Sequence, residues 1–420
     1  MTDNDAVGPS PENAPRADEA LLDGVRVLEL GNFIAAPFAT RLLADFGAEV
    51  IKIETPGAGD ELRNWRRQRG KVSMMFRTLA RNKRSVTVDL RTAQGQEIVR
   101  DLVAKADVVI ENFRPGTLEK WNLGEDDLKA VNSDIVMVRI SGYGQTGPYR
   151  DRAGFGGVAE AFAGLRHVTG HSDRPAVRPA APIGDAMAGL YGALGAVIQL
   201  FALKSGHRLD RMRVVDVALY EAVYSAMESL IPDYDAYGMV RERSGANLPG
   251  VVPSGSYPTA DGQTVMIAGN AAKPFRALMN LCGRSDLADD ESLADGSARS
   301  RRETELDDIV RAWTLEHSVT QAVDALAEAG VPAGPVYDAE GIAADEHFAA
   351  RGMLEPIDTA IDDETTEAIR YPGVVPRIPG TEGRIRWVGP ELGEHTESVL
   401  TGVLGVSTEN YSELKSRGVV

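Results

Sequence analysis

The stretch VRVLELGNFIAAPFATRLLADFGAEVIKI, residues 25–53, decides the fold. Residues 25–30 form a short apolar run, the pattern of a buried strand. Pro37 then opens an amphipathic helix that ends near Gly47, and residues 49–53 read as a second strand. Strand, helix, strand over so few residues predicts a parallel crossover unit. The pattern repeats outward. Ser85 to Leu90 alternates like a strand, Thr92 to Ala106 is a helix, and Asp107 to Ile110 and Ile135 to Ile140 are strands, with Arg213 to Val217 strand-like beyond. The expected fold is α/β, a doubly wound, mostly parallel, Rossmann-like sheet covered on both faces. The middle of the chain changes character. A turn at 257–263 separates strand-like runs, and helices follow near 272–282, 303–315 and 319–329, the signature of a smaller α+β domain. The expected boundaries are a disordered tail over 1–20, a large domain over 21–220, a small domain over 221–330, and a return to the large domain over 331–420 with two terminal helices.

Composition narrows the partners. The 62 acidic against 45 basic side chains give a net charge of −17. Such a surface repels nucleic acid and anionic lipid, so neither is an expected partner. An anionic ligand would need a local group of Arg and Lys. The run from Ala186 to Leu203 is uncharged and almost long enough to span a bilayer, but its Gly and Ala content predicts a buried core helix. The single cysteine, Cys282, excludes an internal disulfide and reads as an inert core thiol in a cytoplasmic protein.

Several motifs fail on context. Residues 142–147 match G-x-G-x-x-G after a strand, but Pro148-Tyr149-Arg150 follows where a dinucleotide site needs a helix. They read as a glycine turn at the carboxyl edge of the sheet. The six histidines lack zinc-ligand spacing, so no metal is expected. There is no P-loop and no G-x-S-x-G elbow. Asp185 is different. It stands before a helix rich in small residues, Ala188, Gly189 and Gly192. Read alone it is a helix N-cap. The same position also favours an ionised carboxylate, with helix amides near any oxyanion formed beside it.

Ordered blocks along the chain carry a resemblance. They are residues 22–30, Ala36-Pro37, residues 43–54, Asn82-Lys83-Arg84-Ser85, Glu111 to Gly116, Ser141 to Gly144, Gly184-Asp185, Asp261-Gly262, Gly330 to Val336 and Leu392 to Thr396. Together they resemble the class III CoA-transferases, the formyl-CoA transferase and carnitine CoA-transferase family. The resemblance implies that Asp185 is the nucleophile. Its carboxylate would attack a donor thioester and expel CoA thiolate, leaving an acyl–aspartyl anhydride. The thiolate would return to the aspartyl carbonyl, giving an enzyme–CoA thioester and the donor acid. An acceptor carboxylate would then reverse both steps, so no ATP, metal or tightly bound cofactor is required. Coenzyme A or acyl-CoA is a substrate, with a carboxylic acid as second substrate.

The family pattern places CoA against Ile34, Ala35, Asn82, Lys83, Asn112, Phe113, Lys120 and Tyr143. Lys83, Arg84 and Lys120 are the candidates for its phosphates, and Phe113 for covering the adenine or pantetheine arm. The resemblance also implies a homodimer of two chains interlocked like ring links. Two departures stand out. Ile34 replaces a Gln that helps position the reacting carboxylate in many members. Leu248 to Gly255 stands where oxalate-using members carry consecutive glycines. Both point away from oxalate and formate, and family frequency suggests a succinyl-type donor. Two alternatives remain, an acyl-CoA racemase of the same family and a non-catalytic acyl-CoA binding protein. A racemase needs a second acid/base facing the aspartate. The racemase branch has His after the Ala-Gly pair, whereas Ala153-Gly154 is followed here by Phe155, and His167 and His171 do not fit that slot.

Overall fold

The computed structural model describes residues 20–420, apart from 70–71, 208–211, 249, 363 and 381–382. The tail expected over 1–20 lies outside the described residues except for Ala20. The chain divides into two units. The larger takes in the chain up to residue 164, 179–228 and 349–420, and the smaller takes in 165–178 and 229–348.

The larger unit is built on six parallel strands, β1 (Arg26–Glu29), β2 (Glu49–Glu54), β3 (Lys83–Thr87), β4 (Val108–Glu111), β5 (Val136–Ser141) and β6 (Arg213–Ala218). Their order is β3-β2-β1-β4-β5-β6, with Val27 opposite both Val50 and Val108. This is the doubly wound order. It reverses between β1 and β4, so the loops leaving those two strands part and open a crevice at the carboxyl edge.

Alternation along each strand feeds two cores. Leu28, Ile51, Val86, Val109 and Met137 face one side, with Ile98, Val99 and Leu102 of helix α2 (Ala93–Val103) and with Val399, Leu400 and Val419 from the chain's end. Val27, Val50, Val108, Val136 and Val138 face the other. There they meet Ala36, Ala39 and Leu43 of α1 (Ala35–Asp45) and Ala188, Ala193 and Ala196 of a long helix at Ile183–Lys204.

A neutral group of six charges lies buried beside α1. Lys52 Nζ donates to Glu29 (2.7 Å) and to the carbonyl of Gly31 (2.8 Å), and pairs with Asp60 (2.8 Å). Lys83 Nζ donates to the other Glu29 oxygen (2.8 Å) and to Pro37 O (2.8 Å). Arg63 forks onto Glu54. Burial opposes every one of these charges. Lys52, with Asp60, Glu29 and Glu54 around it, is nevertheless held above its ordinary range. In Lys83 burial wins, helped by the Lys52 charge against the pull of Glu29, and the ammonium falls to about 8. Glu29 overcomes its own burial through both lysines and drops to about 2. The group also fixes the loop after β1, because Asp60 accepts from the Phe33 amide (3.1 Å).

The smaller unit has a three-stranded antiparallel sheet, β7 (Ser254–Pro258), β8 (Thr264–Ala268) and β9 (Ala333–Pro335), in the order β9-β8-β7. Helices Ala272–Leu281, Glu303–Thr314 and Val319–Glu328 pack Phe275, Leu278, Leu306, Val310 and Leu326 against it. Cys282 joins this core, and burial pushes its thiol up to about 12, so it stays protonated. The division differs from the expected boundaries of 220 and 330. The smaller unit reaches 348 because Ala333–Pro335 pairs with β8, which holds the chain there past 331.

Two expectations about Ile183–Lys204 need correction. It is the one helix among the described residues long and apolar enough to cross a membrane. Its Gly/Ala face is buried as expected, but the opposite face is not. Leu190, Leu194, Ile198 and Phe201 form a stripe at helical spacing and are 50–71% exposed. In addition, Pro182 rather than Asp185 precedes the helix, so Asp185 is its third residue and not its N-cap.

Candidate active site

Asp185 faces a cleft of about 190 Å³ at the crevice between β1 and β4. Phe33 and Ala35 reach it from the end of β1, Asn112, Phe113 and Arg114 from the end of β4, and Ser141, Gly142, Arg152, Gly154 and Phe155 from the chain after β5. Asp185 is the only carboxylate among the described residues that line it. Its place in the first turn of a 22-residue helix favours the ionised form.

Glycines bring these pieces together. Gly142 and Gly154 touch back to back, and a Cβ on Gly142 would lie 2.6 Å from Gly154 Cα. No helix follows Gly147. The next, α3 (Gly156–Phe162), starts nine residues later, so residues 142–147 form a turn and not a dinucleotide loop. A Cβ on Gly156 would lie 2.1 Å from Asp185 Oδ2. The Asp185 carboxylate therefore rests on a surface that only glycine leaves open. Gly156→Ala is expected to push the carboxylate aside by about 1 Å and to lower kcat about 10²-fold, with a much smaller change in KM. Steady-state kinetics on the two proteins checks this.

The loop after β1 is clamped to that after β4. Asn112 accepts from the Asn32 amide (2.9 Å) and donates to the Asn32 carbonyl (2.8 Å). Phe33 takes a left-handed conformation, with φ of 63°, which turns the chain from β1 into α1. Its ring meets Trp65 (5.4 Å) and Phe155 (6.5 Å) edge-on, so Trp65 backs the two rings, Phe33 and Phe155, that line the cleft. Phe155, at the position where a racemase would need its second acid/base, presents a ring with no proton to exchange.

The structure brings Ala35, Asn112, Phe113 and Asp185 to this cleft and separates the other residues expected there. The Ile34 side chain is buried with Leu62, Phe76 and Leu79. Tyr143 sits in an aromatic cluster with Tyr149, Phe162 and Tyr220. Lys120 is exposed at the end of the short helix Thr117–Lys120 and does not line the cleft. Asn82, Lys83 and Arg84 stand at the start of β3, on the amino edge of the sheet. Two of them are corrected as CoA contacts. The Asn82 amide is buried on Asp45 and the Arg384 carbonyl, and Lys83 is fully buried on Glu29, so neither is open to a phosphate. Arg84 pairs with Glu49 (2.8 Å) beside a separate cavity of about 480 Å³. Sequence reasoning did not single out Phe33, Arg114, Arg152 or Gly156. Arg114 had a signal, since it directly follows Asn112-Phe113.

Comparison with known proteins shows the family. Residues 22–396 match the family model of CoA-transferase family III. The chain is 46% identical over 400 residues to the succinyl-CoA–D-citramalate CoA-transferase of Chloroflexus aurantiacus, covering 95% of this chain and 98% of that one. It is 33% identical to the succinate–glutarate CoA-transferase of Agrobacterium fabrum, covering 90% and 94%. Among solved structures, a CAIB/BAIF family protein from Brucella suis superposes with a TM-score of 0.79 at 32% identity, covering 91% of this chain and 99% of that one. With an aspartate at the switch point of a doubly wound sheet and a match along almost its whole length, the chain belongs to CoA-transferase family III.

Proposed function

We propose that this CoA-transferase uses Asp185 as its nucleophile and exchanges CoA between short dicarboxylic acids, with succinyl-CoA as donor. The observation that carries the assignment is that Asp185 supplies the only carboxylate among the described residues lining the cleft. Attack on the donor carbonyl breaks the C–S bond, forms an acyl–aspartyl anhydride and releases CoA thiolate. The thiolate attacks the aspartyl carbonyl and frees the donor acid, leaving CoA on the enzyme. The acceptor carboxylate attacks that thioester, and the returning thiolate cleaves the second anhydride on its acyl side. Each bond formed replaces one of similar activation. Ala35, Asn112 and Phe113 lie where the neutral pantetheine arm would enter, and Arg114 beside them is the cation offered to the CoA phosphates at the far end of that arm.

Support for the substrate class comes from the relatives, whose names pair succinyl-CoA with D-citramalate, L-malate or glutarate. The test is to incubate the enzyme with succinyl-CoA and each of these acids and follow the new thioester by mass spectrometry. Transfer to at least one is expected. Exchange of an α-proton with solvent, without exchange of CoA, would favour a racemase instead.

The same reading includes an interlocked homodimer. The exposed stripe Leu190, Leu194, Ile198 and Phe201 supports it, since a row of large apolar side chains on one helix face is unfavourable in water. Sedimentation velocity is expected to give twice the 45.1 kDa chain mass at micromolar concentration, and Leu194→Glu to shift it towards monomer.

A further inference from the structure

We propose that Arg152 reads the distal carboxylate of the acyl group that Asp185 carries, an assignment that rests on the aspartyl-anhydride reading above. Among the described residues three charged side chains line the cleft, Asp185, Arg114 and Arg152. Neither guanidinium has a carboxylate partner among the described residues, although the chain carries 62 acidic groups. Other buried arginines of this unit are tied to acids, as Arg63 is to Glu54 and Arg81 to Asp45, whereas Arg114 and Arg152 face a cleft. A cation left open in a cleft of so acidic a protein is available to an incoming anion.

The two arginines sit on different segments. Arg114 follows Asn112 and Phe113 on the loop after β4. Arg152 belongs to the chain between β5 and α3, which runs on through Gly154 and Phe155 to Gly156 and so forms the seat of the Asp185 carboxylate. Arg152 therefore belongs to the segment that seats the carboxylate carrying the acyl group, and it lines the same cleft. Arg152 is also prepared for a planar anion. Its guanidinium lies 3.5 Å from the centroid of the Tyr149 ring, and Tyr149 is braced edge-on by Tyr143 (5.9 Å) and Phe162 (6.1 Å). Stacking occupies a face of the guanidinium and leaves its N–H edge free for a two-point bond to a carboxylate. The cleft, at about 190 Å³, is smaller than the ~300–1,000 Å³ of sites for drug-sized ligands. It suits a short acyl chain, whose methylenes would meet Phe33 and Phe155.

Formation of the enzyme–CoA thioester needs the donor alone, so the assignment is tested in single turnovers. Succinyl-CoA is compared with butyryl-CoA, in which a methyl group replaces the distal carboxylate. In Arg152→Gln the preference for succinyl-CoA over butyryl-CoA is expected to fall about 10²-fold. Arg152→Lys keeps the charge but loses the fork, and is expected to retain an intermediate preference. Arg152 is exposed, so neither change disturbs the core. A preference that survives in Arg152→Gln, or equal losses for both donors in both variants, overturns the assignment alone. A wild-type enzyme that forms no thioester from either donor overturns the aspartyl reading, and the role of Arg152 with it.

Discussion

Asp185→Asn lowers kcat/KM for CoA transfer by about 10⁴-fold or more, and Asp185→Ala does the same. This is the largest catalytic effect expected of any substitution in the chain. The amide keeps the size and shape of the carboxylate but lacks its nucleophilic charge, so binding of CoA changes by only a few-fold while chemistry stops. The surroundings offer no substitute. Ser141 also lines the cleft, but its Oγ accepts from the Gly144 amide (3.0 Å), and no histidine among the described residues lines the cleft to act as its base. The check is chemical as well as kinetic. Wild-type enzyme incubated with succinyl-CoA and quenched with hydroxylamine should carry a hydroxamate at residue 185, located by mass spectrometry of the digested protein. The variants should carry none. Full activity in Asp185→Ala, with no adduct at that position in the wild type, would remove Asp185 from the mechanism.

The way to that residue was partly written in the sequence. The central strands of the large sheet were legible because they bury both faces and are rich in Val, Ile and Leu, and their alternation with helices dictated a parallel sheet. The carboxyl edge then followed as the place for a ligand. The fate of individual polar residues was not legible, because it depends on partners far along the chain. Lys83 looks like any surface lysine until Glu29, 54 residues earlier, is found against it. Asn82 is spent on Asp45 and on the backbone of residues 384–386 in the same way. Gly156 carries no local mark either, since its need for a missing Cβ comes from Asp185 on another helix. Long apolar helices are ambiguous for a related reason. Hydropathy fixes that Ile183–Lys204 must be covered, but not by what, and the stripe from Leu190 to Phe201 is left exposed among the described residues.

The second large effect falls on stability. Glu29→Gln is expected to destabilise the large unit by about 3–5 kcal/mol, because it breaks a buried ionic group by removing one partner and leaving the others in place. Among the described residues Glu29 is the only carboxylate bonded to Lys83, and it shares Lys52 with Asp60. Lys52 can fall back on Asp60. Lys83 cannot, and keeps only the Pro37 carbonyl. Its ammonium is already down at about 8 with Glu29 present, so without Glu29 it sheds its proton near neutrality. The pH dependence follows in sign. A lysine whose folded value lies below its unfolded value binds fewer protons when folded, so stability rises with pH between the two values. The variant should therefore be weakest near pH 6 and recover towards pH 9–10. The wild type carries a second dependence that the variant lacks. Glu29 is ionised down to about pH 2 when folded, against 4.5 when unfolded. Its contribution, about 3 kcal/mol, is fully present above pH 4.5 and is lost as the pH falls towards 2. Urea unfolding at a series of pH values, compared at unchanged m-value, measures both. The consequence for catalysis is indirect but traceable. Lys52 holds the Gly31 carbonyl and Asp60 holds the Phe33 amide, so loosening the group frees the loop that carries one wall of the Asp185 cleft. A variant that keeps its stability at pH 6 would show that the lysines find other partners, and that the buried group does not set the loop.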